Sequence, residues 1–82
     1  MFLFKVEDRF MVTGIGLVLT PGLGDKSVFT GERIRIISLV QTIISTSIKG
    51  IMWNEFRHIS VGNDLSKEDV PVGSEVWLNN EL

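Results

Sequence analysis

Nine valines, nine isoleucines and five threonines stand in this chain, and not one alanine. A side chain branched at Cβ has little χ1 freedom and fits a pleated, half-buried surface, whereas alanine is the residue best suited to a helix. The composition is that of a strand protein. The 82 residues allow a single domain, 1–82, and a domain of that size buries only about 60% of the surface its unfolded chain exposes. A hydrophobic share of 44% is a generous supply for so small a core. Some apolar surface is therefore expected to be left for a partner.

Period-two alternation places the strands. Residues 2–6 open as a strand that turns at Glu7-Asp8. Residues 9–20 read as one long strand, bent where Gly14 and Gly16 interrupt the alternation of Phe10, Val12, Leu17 and Leu19. A glycine inside a strand pattern marks a bulge or a close backbone approach. Pro21-Gly22 begins a loop over 21–27. Thr30-Gly31 turns into a clean alternation of Arg33, Ile34, Arg35 and Ile36. Residues 39–53 are β-rich with no turn signal before Lys49-Gly50, 57–61 form a short strand, and 74–79 close the chain. Ser66 and Asp69 have the spacing of a capping pair, enough for one helical turn. Roughly six or seven strands spaced about ten residues apart, with turn signals between them, predict an all-β fold. The expected form is a small six- to seven-stranded, mainly antiparallel β-barrel, because closure hides strand edges. Its inward side chains are expected to be Phe10, Val12, Val18, Ile34, Ile36, Ile59, Val61 and Val76.

The residues that carry chemistry are sparse. There is no cysteine, which excludes disulfides, zinc-thiolate sites and thiol catalysis. His58 is the single histidine and reads as a surface or partly satisfied strand residue. The carboxylates Glu7-Asp8, Glu32, Glu55 and Glu68-Asp69 fall mostly in turns and suggest no acid–base pair. No catalytic residue, no metal site and no cofactor are expected, and the chain is read as a non-enzyme. Gly14-Ile15-Gly16 lacks the third glycine of a dinucleotide fingerprint, since Leu19 stands there. The run Gly22 to Ser27 has Asp25 where a phosphate loop needs glycine before its lysine, so no bound nucleotide is expected. Net charge is -2 and the 8 basic residues are scattered, which argues against DNA. The longest uncharged run, 10–24, is broken by glycines and Pro21 and falls short of the roughly 20 apolar residues of a spanning helix. Lys5 precedes any apolar region of signal-peptide length. A soluble, cytoplasmic protein with no membrane contact is expected.

Several landmarks occur in order along the chain: Val6-Glu7-Asp8-Arg9-Phe10, then Gly14-Ile15-Gly16-Leu17-Val18-Leu19-Thr20, then Thr30-Gly31-Glu32-Arg33-Ile34-Arg35-Ile36. Lys49-Gly50-Ile51 and the acidic turn Lys67-Glu68-Asp69 leading to Gly73-Ser74-Glu75-Val76 follow. In that order they resemble domain II of translational GTPases, the β-barrel that follows the G domain in elongation factor Tu and its relatives. The resemblance spans nearly the whole chain. It implies a non-catalytic binding module that contacts a translation component, whether rRNA, tRNA or a translation factor, with Gly14, Gly16, Gly31 and Gly73 as structural glycines. The family's nucleotide sits on the G domain, so the resemblance places none on these residues. Thr20 matches a threonine near the family's aminoacyl-tRNA pocket. An acidic pocket residue falls on Met52 or beside Glu55 and Arg57, depending on the alignment. Pro21 and Gly22 depart from the Gly and Arg of the family pattern, and Ile15 replaces the Arg between its two glycines.

A second reading stays open beside this one: a stand-alone protein-interaction or oligomerisation barrel unrelated to translation. Phe2, Phe4, Met52, Trp53 and Trp77 are then the side chains to anchor a protein partner or a self-contact, because aromatics and methionine are enriched in interface cores. Adjacent Met52 and Trp53 cannot both face inward on a regular strand.

Overall fold

The computed structural model describes residues 1–52 and 54–79. Among them run β1 (Phe2–Lys5), β2 (Asp8–Val12), β3 (Gly16–Thr20), β4 (Arg33–Ile37), β5 (Ile43–Ser47), β6 (Gly50–Ile51), β7 (Ile59–Ser60) and β8 (Glu75–Leu78). Their pairings are antiparallel. They form two four-stranded sheets, β1-β8-β4-β5 and β2-β3-β7-β6. The all-β, antiparallel expectation holds, but eight short strands in two sheets replace the single closed barrel of six or seven. Two corners account for the extra strands. At the first, the Val6 N–H donates to the Ser74 carbonyl (2.8 Å), and the next residue, Glu7, donates to the Thr20 carbonyl in the other sheet (2.8 Å). At the second, the Ile48 N–H donates to Glu32 (3.0 Å) and the Lys49 N–H to Ser60 (2.8 Å). Each corner hands the chain from one sheet to the other within two residues.

The largest departure lies at 9–20, which is a hairpin and not one bent strand. β2 pairs with β3 in unbroken register from Asp8↔Thr20 to Val12↔Gly16. The Ile15 N–H closes the turn on the Val12 carbonyl (3.0 Å). Gly14, third in that turn, has φ +82, at the position where a type II turn requires a positive φ. Gly16 has another duty. It sits at φ +105 so close to Gly62 that a Cβ would run into the Gly62 carbonyl.

The hairpin also decides which side chains face in. Leu17 and Leu19 join the core, so Val18, although buried, points to the opposite face. Phe10 pairs with Val18 and is 47% exposed rather than inside. Val12 is only half-buried. β2 is the outer strand of its sheet, and no further strand among the described residues covers it. Ile34, Ile36, Ile59, Val61 and Val76 are buried as expected, sharing one core with Leu3, Phe4 and Leu19.

The 39–53 stretch also contains a turn its sequence does not announce. β4 and β5 form a hairpin in which the Gln41 N–H donates to the Ser38 carbonyl (2.9 Å) and the Ser38 hydroxyl accepts the Thr42 N–H (3.1 Å). Gln41 takes φ +67, the left-handed residue that ends a three-residue hairpin loop. Gly31 and Gly73 stand in the turns before β4 and β8. The expected helical turn is a single 3₁₀ turn, Lys67–Asp69. The Asp69 carboxylate accepts from the Ser66 N–H (2.8 Å) and hydroxyl (3.1 Å). No helix among the described residues is long and apolar enough to cross a membrane.

Candidate functional site

The first corner brings Glu7 and Asp8 into the lining of a groove of about 470 Å³. Phe10, Thr20, Pro21, Phe56 and His58 complete its lining. Each arrives there for a local reason. Glu7 and Asp8 occupy the crossing between sheets, so their side chains are exposed. Phe10 lies on the uncovered face of the edge strand. The Thr20 hydroxyl ends β3 by donating to the Asp8 carbonyl (3.3 Å), which holds the corner to the strand. A cis peptide joins Thr20 to Pro21.

The opposite wall is a turn. The Asn54 side-chain oxygen accepts the Arg57 N–H (2.7 Å), an Asx-type brace that leaves Phe56 55% exposed. The Phe56 ring stacks on the His58 imidazole, centroids 5.9 Å apart and planes within 8°. The Asp8 carboxylate accepts the Arg9 N–H (2.8 Å). The site thus combines aromatic rings with two carboxylates in one lining. It suits an apolar or planar group that carries positive charge nearby, and the two carboxylates oppose a phosphate. Among the described residues no three His, Asp or Glu side chains gather closely enough to hold a metal ion.

The residues singled out from sequence do not converge here. Of Thr20, Met52, Glu55, Arg57 and Trp77, only Thr20 lines the groove. Trp53 lies outside the described residues. Met52 is half-buried and its N–H donates to the His58 carbonyl (2.7 Å). Glu55 is exposed in the turn beside Phe56. Trp77 lies in the other sheet, where its indole N–H donates to the Glu75 carboxylate (2.9 Å) and its ring meets Phe2 edge-on at 5.4 Å. Phe4, a candidate anchor, is buried in the core. Phe10, Phe56 and His58 were missed as a group. Alternation puts Phe10 inside, and Phe56 falls in a short loop, where a ring two residues before the single histidine is the signal the sequence offers.

Arg57 proves to be a brace. Its guanidinium donates to the carbonyls of Gly24 (3.4 Å), Lys26 (2.6 Å) and Val28 (3.1 Å). Those bonds tie the 24–28 loop to the turn and help hold Arg57 at φ +54, a region few non-glycine residues occupy. A lysine has one nitrogen and no planar fork. Arg57→Lys should therefore lower stability by about 1–3 kcal/mol, read as a lower urea midpoint at unchanged slope, with faster hydrogen exchange at the Val28 amide. An unchanged midpoint would show that the guanidinium braces nothing.

No family model matches this chain, and no solved structure matches it.

Proposed function

We propose that this protein is a non-catalytic binding module, a barrel of the translation-factor domain II type, that holds a protein partner in the Phe10–Phe56 groove. The corners support the barrel: joining β1 to β2 and β5 to β6 turns eight strands into six around one core. The observation that carries the function is the stacked Phe56–His58 pair, which lines one groove with Phe10, Glu7 and Asp8. Covering an exposed phenylalanine contributes about 1.5–3 kcal/mol, enough for a ring to anchor a contact. RNA is disfavoured at this site, because phosphate binding draws on lysine and arginine. The groove lining contains neither, and Arg57 is engaged with the 24–28 loop. The partner is accordingly a segment that places an apolar or aromatic residue beside lysine or arginine. The resemblance makes a translation factor the leading candidate, and of the residues it matches to the family's pocket Thr20 is the one that lines the groove.

Titration of isotope-labelled protein with three probes tests this: an alternating Arg-Leu peptide, an alternating Glu-Leu peptide and oligouridine RNA. The Arg-Leu peptide should shift the amides of Phe10, Thr20, Phe56 and His58, and Phe56→Ala should weaken it by about tenfold or more. Shifts that are absent there, or equal with the Glu-Leu peptide, would overturn the reading. RNA binding that falls steeply with salt would replace the protein partner with RNA.

A further inference from the structure

Among the described residues β1, β5, β2 and β6 stand at the edges of the two sheets. β1 is irregular, with a register shift between Phe2 and Phe4, and it ends in Lys5. β2 carries Asp8 and Arg9, and the Arg9 guanidinium reaches the Lys67 carbonyl at 3.3 Å. β6 has 2 residues. Charges, irregularity and shortness are the usual ways an edge is protected from pairing with another chain. β5 has none of them. It is 5 residues long, and from Ile36 to Ile48 there is no charged residue, proline or glycine.

Its free backbone groups can be identified. Ser38–Thr42 and Glu32–Ile48 are hydrogen-bonded pairs at the two ends of the β4–β5 ladder (2.9 and 3.0 Å). Antiparallel pairs alternate, so Ile36–Ile44 and Ile34–Thr46 are hydrogen-bonded as well. The N–H and C=O groups of Ile43, Ser45 and Ser47 then point away from β4. Among the described residues no strand lies on that side and no backbone group meets them. Ile43 and Ser45 are exposed. Leu39 and Val40, at 70% and 81% exposure, extend the apolar surface past the end of the strand.

We infer that β5 pairs antiparallel with β5 of a second copy of this chain, about a two-fold axis at Ser45. The strand is complementary to itself in that register. Ser45 faces the partner's Ser45, and Ile43 faces the partner's Ser47, so each outward group finds a donor or an acceptor. The uncharged run sets no like charges against each other across the axis, and it offers a charged partner no ion pair. An isologous contact of this kind closes at two copies. It lies in the sheet opposite the groove and does not depend on what the groove binds.

Sedimentation across a concentration series is the test. The mass should rise from 9.2 kDa to twice that value. Ser45→Lys and Ser45→Glu put like charges directly opposite one another. Each should weaken dimerisation about tenfold or more, and an equimolar mixture of the two should restore it. Hydrogen exchange on the unaltered protein gives a second readout: the Ser45 amide should gain protection as the dimer forms, while the Ile44 and Thr46 amides are protected throughout. A monomer at every concentration, a mass that grows beyond two copies, variants that dimerise like the parent, or a dimer whose Ser45 amide stays unprotected would each overturn the inference.

Discussion

Ile36→Ala should remove about 2–5 kcal/mol of stability. The side chain is 1% exposed and lies between Ile44 on β5 and Val76 on β8. A native domain is stabilised by roughly 0.05–0.15 kcal/mol per residue, so the loss is a large part of what holds 82 residues folded. Urea unfolding should show a lower midpoint at unchanged slope. Phe10→Ala supplies the contrast. Alternation along the strands puts both residues in the inward set, yet Phe10 is 47% exposed and its loss should cost within about 0.5 kcal/mol, as surface substitutions usually do. Similar costs for the two would mean that β2 presents its other face to the core.

Gly16→Ala should be among the most damaging of the glycine changes, at about 3 kcal/mol or more. Two effects combine. A residue with a Cβ at φ +105 is strained by about 1–3 kcal/mol, and the Cβ would occupy the space of the Gly62 carbonyl. Moving Gly62 aside threatens the bond from the Leu17 N–H to its carbonyl (2.8 Å) and the adjacent bond from the Val61 N–H to Leu17 (2.9 Å), each worth about 1 kcal/mol. Gly14→Ala is the control, because nothing lies within 4 Å of a Cβ there. It should cost only the conformational strain, about 1–2 kcal/mol. Chemical denaturation of the pair decides the matter. Equal losses would show that Gly62 makes room freely and that the close approach carries no energy.

These contrasts trace what could and could not be read along the chain. Arg33 to Ile36 alternates polar and apolar residues, so the buried face of β4 was legible before any fold was known. The Ser66–Asp69 pair and the Pro21-Gly22 loop were legible for a similar reason, since capping and turn formation involve residues a few places apart. Leu17-Val18-Leu19 offers no such contrast. With three apolar residues in a row, either face can be the inner one, and burial of β3 on both sides left the choice to the neighbours. Leu39-Val40-Gln41 turns without glycine, proline or asparagine, held by Ser38 bonds that no composition reveals.

Gly14 and Gly16 show the division most clearly. Their presence marked a special backbone, but a bulge in one long strand and a turn between two strands use the same residues. Only the pairing of Asp8 with Thr20 and the nearness of Gly62, 46 positions away from Gly16, selected the hairpin. Arg57 is the same lesson for function. Placed beside the family's pocket by the resemblance, Arg57 reads as a ligand contact, until the fold brings the carbonyls of Lys26 and Val28 against its guanidinium. By itself the sequence determined the strand composition, the antiparallel all-β class and the faces marked by alternation, because those follow from side-chain shape and near neighbours. The tertiary structure alone decided the two-sheet pairing, the outward turn of Phe10 and the groove it lines, because those depend on which distant backbone groups meet.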